Sequence, residues 1–388
     1  MQILTILVRG LAWFAALSSL GLASCTPVES ICAGAGNVLT EIKARYDFPG
    51  ATLAIALPDG TVCEMAAGVS DRETRRAMRS SDRMLSGSTG KTFVSATALH
   101  LAGQGKLSLD DPIAKWLGGE PFFAGLANAN VITIRHLLSH SSGLIDHVYL
   151  EAYAHAVVVE KRAMEPRDLI AFILDQPALF APGEGYSYTD TGYILLGLII
   201  EKASGRSYYD VLRETFLERF NLERTSPSVT PKLAGLVPGY LATDNPFDLP
   251  VKTLDADGVM SYDPVLEWTG GGLISNSVDL ARWGRILYGG RALDWDYRAE
   301  LFRGGERGKE DALPRYGLGV RVMETPLGLA YGHGGWIPGY RTQFAYYADI
   351  DAAIAIQINT DIAMMEDDSA IQVLRRKLES DVLPRVKR

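Results

Sequence analysis

Segments with strand character stand near both ends of the chain, and helical patterns fill the stretch between them. Ala51–Leu57 and Thr61–Ala67 flank Pro58-Asp59-Gly60 and read as a β-hairpin. Tyr316–Met323, Leu327–Tyr331, Arg341–Tyr347 and Ala352–Asn359 alternate or run apolar, with turns between them. Residues 33–47 and 367–383 read as helices outside these strands, and residues 105–225 are mainly helical. Such a chain must close one sheet from its two ends. The expected fold class is α+β, an α/β sandwich with an antiparallel sheet, flanking helices and an inserted helical subdomain. The sheet part covers about 33–104 and 315–388, and the helical and loop part about 105–314, within a single domain of residues 25–388.

Within the middle stretch, Gly192–Ala203 is apolar nearly all round and ends at Ser204-Gly205, which predicts a buried helix. Pro166 starts another helix. Ile132–Leu138 leads into Ser139-His140-Ser141-Ser142-Gly143-Leu144. Asp71–Arg83 is a charged surface connection. Residues 225–268 are rich in Pro, Gly and Asp without periodicity, and a loop of that length is usually functional. Gly270-Gly271-Gly272 precedes a helix in which Asn276 and Asp279 resemble a capping box. It lacks the Lys and Ser/Thr of a phosphate loop.

Arg9 precedes an apolar run, Leu11–Ala23, that has the length of a signal peptide and is short for a membrane span. The run ends in Leu22-Ala23-Ser24-Cys25. This resembles the lipobox of bacterial lipoproteins, in which the cysteine is lipidated and becomes the mature N-terminus. Residues 1–24 are then the leader and Cys25 the lipidation site; an ordinary cleaved leader is the plainer alternative. Export leaves Cys32 and Cys63 either as a disulfide or as two buried thiols. The net charge of −8, without a basic stripe, argues against a nucleic-acid partner. It also disfavours attachment through an anionic membrane surface. No Cys/His cluster has metal-ligand spacing, and no metal or organic cofactor is expected.

Chemistry concentrates first in Met84-Leu85-Ser86-Gly87-Ser88-Thr89-Gly90-Lys91. Ser88 and Lys91 are three residues apart, which on a helix places them on one face. A serine hydroxyl is a weak nucleophile without an adjacent base, and a lysine acts as that base only when its pKa is lowered. A helix start also offers N–H groups to a developing oxyanion. Alone, Ser-x-x-Lys reads more simply as a capped helix with a solvated lysine.

Two later stretches reverse that weighting: Phe180–Tyr193, containing Tyr186-Ser187-Tyr188-Thr189-Asp190, and Tyr331-Gly332-His333-Gly334-Gly335-Trp336. In order and rough spacing, the three together resemble the motifs of serine β-lactamase-like hydrolases. The groups concerned are class C β-lactamases, low-molecular-mass penicillin-binding D,D-peptidases and β-lactamase-like esterases. The resemblance covers about residues 35–360. It implies that Ser88 is the acylated nucleophile and Lys91 its proton acceptor or electrostatic partner. Tyr188 matches the tyrosine that carries a proton to the leaving group and activates the deacylating water, which needs nearby cations to favour its phenolate. His333 stands where Lys or His points at the site. Gly334 and Gly335 let the strand pass close to substrate, and the N–H groups of Ser88 and Trp336 form the oxyanion hole. Taken singly, Tyr188 reads as a core aromatic, His333 as a turn residue and Asp190 as an N-cap. Their joint occurrence favours a site.

Two positions depart from the family pattern. Asp190 stands where Asn is more usual, which changes the charge around Lys91. His333 stands where true β-lactamases carry lysine. Glu165-Pro166 resembles the deacylating glutamate of class A β-lactamases but precedes the second motif, so it reads as a helix start. The resemblance implies an exported serine hydrolase working by acyl transfer on a small molecule or a peptidoglycan-derived peptide, with carboxypeptidase, β-lactamase and esterase activities all open. A penicillin-recognising lipoprotein with little turnover is the alternative that Asp190 keeps open. Substrate choice is expected to rest on the 225–268 loop and on residues near Tyr149 and Trp268. Oligomeric state is not legible.

Overall fold

The computed structural model describes residues 27–302 and 315–387; the leader and Cys25 lie outside the described residues. Eight strands form one sheet: β1 (Gly50–Ala56), β2 (Val62–Asp71), β3 (Arg76–Ala77), β4 (Arg315–Tyr316), β5 (Arg321–Thr325), β6 (Gly328–Ile337), β7 (Tyr340–Tyr347) and β8 (Ala352–Ile358). Their order is β3-β2-β1-β8-β7-β6-β5-β4, antiparallel throughout. The two ends of the chain meet at the centre, with Leu53 opposite Ile356 and Ile55 opposite Ile354. The sheet is thus the α+β arrangement expected from strand runs at both ends.

Five helices matter for the site: α1 (Pro27–Arg45), α2 (Lys91–Gly103), α3 (Asp190–Ser204), α4 (Ser277–Tyr288) and α5 (Ala370–Lys377). The central strands sort their side chains by size. Leu53, Ile55, Ile354 and Ile356 face α1 and α5, where they join Ile31, Leu39, Ile42, Ile371 and Leu374. Burying one such side chain contributes roughly 1.5–3 kcal/mol. Ala54, Ala56, Ala353 and Ala355 face the other way. These short side chains let α4 approach closely: a Cβ on Gly284 would lie 3.0 Å from the Phe344 ring and 3.4 Å from the Ala353 Cβ. α4, which falls within the 105–314 stretch, thus packs directly on the sheet.

α3 is buried from Thr191 to Ile200, as its all-round apolar sequence requires. It ends where Gly205 takes a positive φ of 70°, a conformation that glycine adopts without a Cβ penalty. The last helix is shorter than 367–383. It starts at Ala370 and gives way after Lys377 to a wider turn over Leu378–Val382. Cys32 on α1 and Cys63 on β2 form a disulfide, with Cα atoms 5.1 Å apart. The polar connection after β2 is not wholly loop, since Arg76–Ala77 pairs with it as β3.

The strand segment Leu327–Tyr331 is part of a longer element. β6 runs on to Ile337 because β7 holds its glycines extended, with Gly334 opposite Gln343 and Gly335 opposite Thr342. β5 pairs with β6 only as far as Gly332. A small second sheet joins Met84–Leu85, Leu273–Ser275 and Ser226–Pro227. It fixes the segment leading to Ser88 beside Gly270–Gly272.

Candidate active site

Gly87–Gly90 form one 3₁₀ turn, and α2 follows at Lys91. Gly87 has φ +51°, and a Cβ there would meet the Trp336 backbone at 2.8–3.0 Å. Only glycine combines that φ with that closeness. A Cβ on Gly335 would lie 1.9 Å from the Ser86 carbonyl oxygen and 3.2 Å from the Ser88 nitrogen. The turn therefore lies directly on β6, with the Ser88 and Trp336 backbones side by side. This is the arrangement an oxyanion hole needs.

Ser88 is partly exposed, whereas Lys91 is fully buried. The Lys91 Nζ lies 3.0 Å from the Ser88 Oγ, donates to the Gly270 carbonyl and pairs with the Asp190 carboxylate. Ser88 and Gly270 take two of the three ammonium donors, and Asp190 is bound by charge. Burial alone lowers the Lys91 pKa, but the charges of Asp190 and Tyr188 outweigh it and the net direction is up. Lys91 is thus held as a cation. Asp190 is the first residue of α3, and Thr189 occupies the N-cap position. The capping reading of Asp190 is replaced by its pairing with Lys91.

The Tyr188 ring lies 5.0 Å from the Lys91 Nζ. Its hydroxyl is buried and makes no hydrogen bond among the described residues. Burial raises the Tyr188 pKa and Asp190 raises it further, while Lys91 and Ser88 pull it down; the net direction is up. The Arg321 Cζ lies 6.0 Å from the centre of the same ring, and the Arg321 Nε is buried without a hydrogen-bond partner among the described residues.

His333 is buried beside Tyr188, with ring centres 6.2 Å apart. It does not point a free nitrogen at the site. Its Nδ1 donates to the Gly334 carbonyl at 2.6 Å, so its Nε2 accepts from the Tyr316 hydroxyl at 2.9 Å. Burial, with Arg321 and Lys91 nearby, holds its pKa well below the ordinary value. The expected catalytic histidine is a neutral, fully engaged group. Trp336 turns its indole away to donate to Asp361 at 3.0 Å.

Four residues that the motifs did not single out complete the surroundings. Tyr316 is the partner of His333 just described. His140 has φ +55° and is fully buried, and its Nδ1 accepts from the Thr189 N–H at 3.2 Å. Its ring lies 4.0 Å from that of Tyr188. Asp146 and Glu267 are acidic groups that feel the charge of Asp190. Burial raises both carboxyl pKa values to about 7, and the charge of Asp190 adds to the rise. His140 and Asp146 lie within or just beyond the Ser139–Leu144 stretch, which was a weak pointer. Glu267 precedes Trp268, whose backbone is strained at φ 32°, ψ −115°. Tyr149 is 78% exposed beside Asp146, while Trp268 packs inward against Gly197.

A family model described as Beta-lactamase matches residues 36–378. The chain belongs to the beta-lactamase family. Penicillin-binding protein 4* of Bacillus subtilis is 27% identical to this family member over 79% of the chain and 66% of that protein. A D-aminopeptidase of Brucella anthropi is 27% identical over 79% of the chain and 55% of that protein. This beta-lactamase-family chain thus spans somewhat under two thirds of the curated relatives it matches. Among solved structures, a D-stereospecific amidohydrolase from Streptomyces sp. superposes with a TM-score of 0.74 at 26% identity, covering 90% of this chain and 98% of that one. The family model and these relatives give the chain the serine β-lactamase fold.

Proposed function

We propose that this beta-lactamase-family protein is an exported hydrolase that forms an acyl-enzyme on Ser88, acting on a D-peptide, β-lactam or ester. The observation that carries this reading is the contact of the Lys91 ammonium with Ser88 at 3.0 Å, beside the Tyr188 ring. Lys91 is already protonated, so the reactive form is the fraction in which Tyr188 has lost its proton to solvent, and the Ser88 proton passes to that phenolate as Oγ bonds to the substrate carbonyl. The N–H groups of Ser88 and Trp336 hold the oxyanion. As the leaving group departs, it takes the proton from Tyr188. A water then gives a proton to Tyr188 and attacks the ester, and Ser88 recovers its proton when the acyl group is released. Lys91 stabilises the phenolate and the alkoxide throughout by charge. His333 holds Gly334 and Tyr316 in place.

Incubation with a fluorescent penicillin and with p-nitrophenyl esters, followed by intact mass, tests the reading. An adduct is expected on the wild type and none on Ser88→Ala, with turnover lower by several orders of magnitude. Unchanged hydrolysis by folded Ser88→Ala would eliminate it. The second reading, a penicillin-recognising protein with little turnover, draws on the pairing of Lys91 with Asp190; there the adduct forms and persists.

The N-terminal sequence supports lipid anchoring at Cys25. Among the described residues no helix is long and apolar enough to cross a membrane. Acyl chains contribute about 0.8 kcal/mol per buried CH₂, and two or more give stable attachment. Cys25→Ala is expected to release the protein from membranes. A wild-type protein cleaved without lipid would rule the anchor out.

A further inference from the structure

Within the aperiodic stretch 225–268, residues 239–253 fold back on themselves as an arm. The Leu241 N–H donates to the Val251 carbonyl at 2.8 Å, and the Thr253 N–H to the Gly239 carbonyl at 3.0 Å. The base of the arm is tied to the body of the protein. The Tyr240 hydroxyl donates to Glu73 at 3.0 Å, and Lys252 bonds Asp71 and Glu73, each at 2.8 Å. The tip, residues 242–249, is tied to itself. The Asn245 Oδ1 accepts from the Phe247 and Leu249 N–H groups at 3.2 and 3.1 Å. Its Nδ2 donates to the Ala242 and Leu249 carbonyls at 3.0 and 2.8 Å. That is the full capacity of a neutral amide, so one side chain fixes the whole tip.

What the tip presents is Phe247. Its ring lies 5.8 Å from that of Trp336, at an interplanar angle of 36°, within the range of attractive aromatic contact. The Trp336 indole is held a second time, by donation to Asp361 at 3.0 Å. Both rings are half-buried, and neither belongs to any of the protein's apolar cores, so core packing does not account for the pair. The position of Trp336 does. β5 pairs with β6 only as far as Gly332, so among the described residues Gly334–Ile337 take strand pairing from β7 alone. The Pro338-Gly339 turn follows at once. Yet this lightly held strand end carries the Trp336 N–H beside Ser88: a Cβ on Gly87 would lie 2.9 Å from that nitrogen. An oxyanion donor is effective only when it is already aimed at the place where charge develops.

We propose that Phe247, presented by Asn245, is a positioning residue that clamps the Trp336 indole toward Asp361 and thereby holds the Trp336 N–H in the oxyanion hole. This rests on the reading of Ser88 as the nucleophile. The clamp touches neither Ser88 nor the leaving group, and it acts through one donor. Full negative charge sits on the substrate oxygen only in the transition state, so the clamp changes the rate of acylation and not the binding of substrate.

The test compares p-nitrophenyl acetate with its thionoester, in which sulfur replaces the carbonyl oxygen and accepts hydrogen bonds weakly. Acylation is read from the burst of p-nitrophenol. Phe247→Ala is expected to slow acylation by the oxygen ester about tenfold, less than the 10²- to 10³-fold that outright loss of an oxyanion donor costs in kcat. The thionoester should be affected little, so the oxygen-to-sulfur rate ratio falls by about the same factor, with substrate affinity unchanged. Phe247→Tyr keeps the ring and should keep the wild-type ratio. Asn245→Ala unties the tip while leaving both rings in the sequence, and it should reproduce the fall. Melting temperatures close to wild type in these variants, together with the lowered ratio, support the proposal. A ratio unchanged in Phe247→Ala, or equal slowing of both esters, overturns it. Intact mass reports separately on the nucleophile: an adduct absent from wild type defeats the Ser88 reading, whereas an adduct formed by Phe247→Ala at the wild-type rate defeats only the clamp.

Discussion

Asp190 holds the Lys91 ammonium in an ion pair while the same nitrogen lies 3.0 Å from the Ser88 hydroxyl. Where the family more often has a neutral amide, this chain has a carboxylate. The Lys91 pKa is raised as a result, so the amine is protonated across the neutral range. Stability from such a raised lysine is fully present below its unfolded pKa, roughly 10.4. It is lost only as pH climbs through the higher folded value.

The first prediction concerns pH and Asp190→Asn. Asp190 raises the pKa of Lys91 and of Tyr188 alike. Removing its charge lowers both, so the rising alkaline limb of kcat/KM moves to lower pH. A buried lysine that stays charged without its partner destabilises by roughly 3–5 kcal/mol. Lys91 relieves part of this by losing its proton, so the variant also melts lower. Superimposable pH profiles of wild type and variant would take Asp190 out of the mechanism.

Gly335→Ala is the second prediction. The added methyl would fall 1.9 Å from the Ser86 carbonyl, a backbone atom that cannot rotate away. β6 and the Ser88 turn must separate, and the Trp336 N–H moves with β6. Loss of one oxyanion donor typically costs 10²- to 10³-fold in kcat. An effect of that size on kcat, with KM little changed, is expected in steady-state ester hydrolysis; wild-type kcat would show that the Trp336 N–H is not used.

The sheet was legible because its information is local. Ala51–Leu57 and Ala352–Asn359 read as strands in any context, and both are strands at the sheet centre. The contacts of Ser88 with Lys91 were legible for the same reason, being three residues apart. What failed was direction and partnership. His333 was placed correctly along the chain, but its engagement with Tyr316 depends on how β4, β5 and β6 stack. Asp190 was expected to change the charge around Lys91, with capping as the plainer reading, and the fold brings the two into an ion pair. The bond of Lys91 to the Gly270 carbonyl, across 179 residues of chain, is likewise a product of the fold.

A third prediction follows from His333. Tyr316→Phe removes the hydroxyl that satisfies its Nε2 inside the protein. An unsatisfied buried acceptor costs about 1–3 kcal/mol, so the melting temperature should fall. The freed ring also loosens Gly334, whose carbonyl accepts from Nδ1. Reduced kcat alongside the lower melting temperature is expected. Wild-type stability and kcat together would show that the Tyr316–His333 bond contributes nothing.

The fourth prediction concerns the Cys32–Cys63 disulfide. It joins α1 to β2 across a separation of 31 residues, within the core between the sheet and its outer helices. A cross-link of this kind restricts the unfolded chain more than it shapes the folded one, typically adding 2–4 kcal/mol. α1 is a covering helix of the sheet, and Ile31, next to Cys32, is buried against that sheet. Reduction therefore loosens the first turns of α1 before it reaches the site. Cys32→Ser/Cys63→Ser protein should unfold at lower denaturant concentration by about that free energy, while its kcat on an ester stays within twofold of wild type. Thiol labelling of the isolated protein, with and without reductant, checks the starting state. Two free thiols before reduction, or equal denaturation midpoints, would show that the cross-link is not part of the native fold's stability.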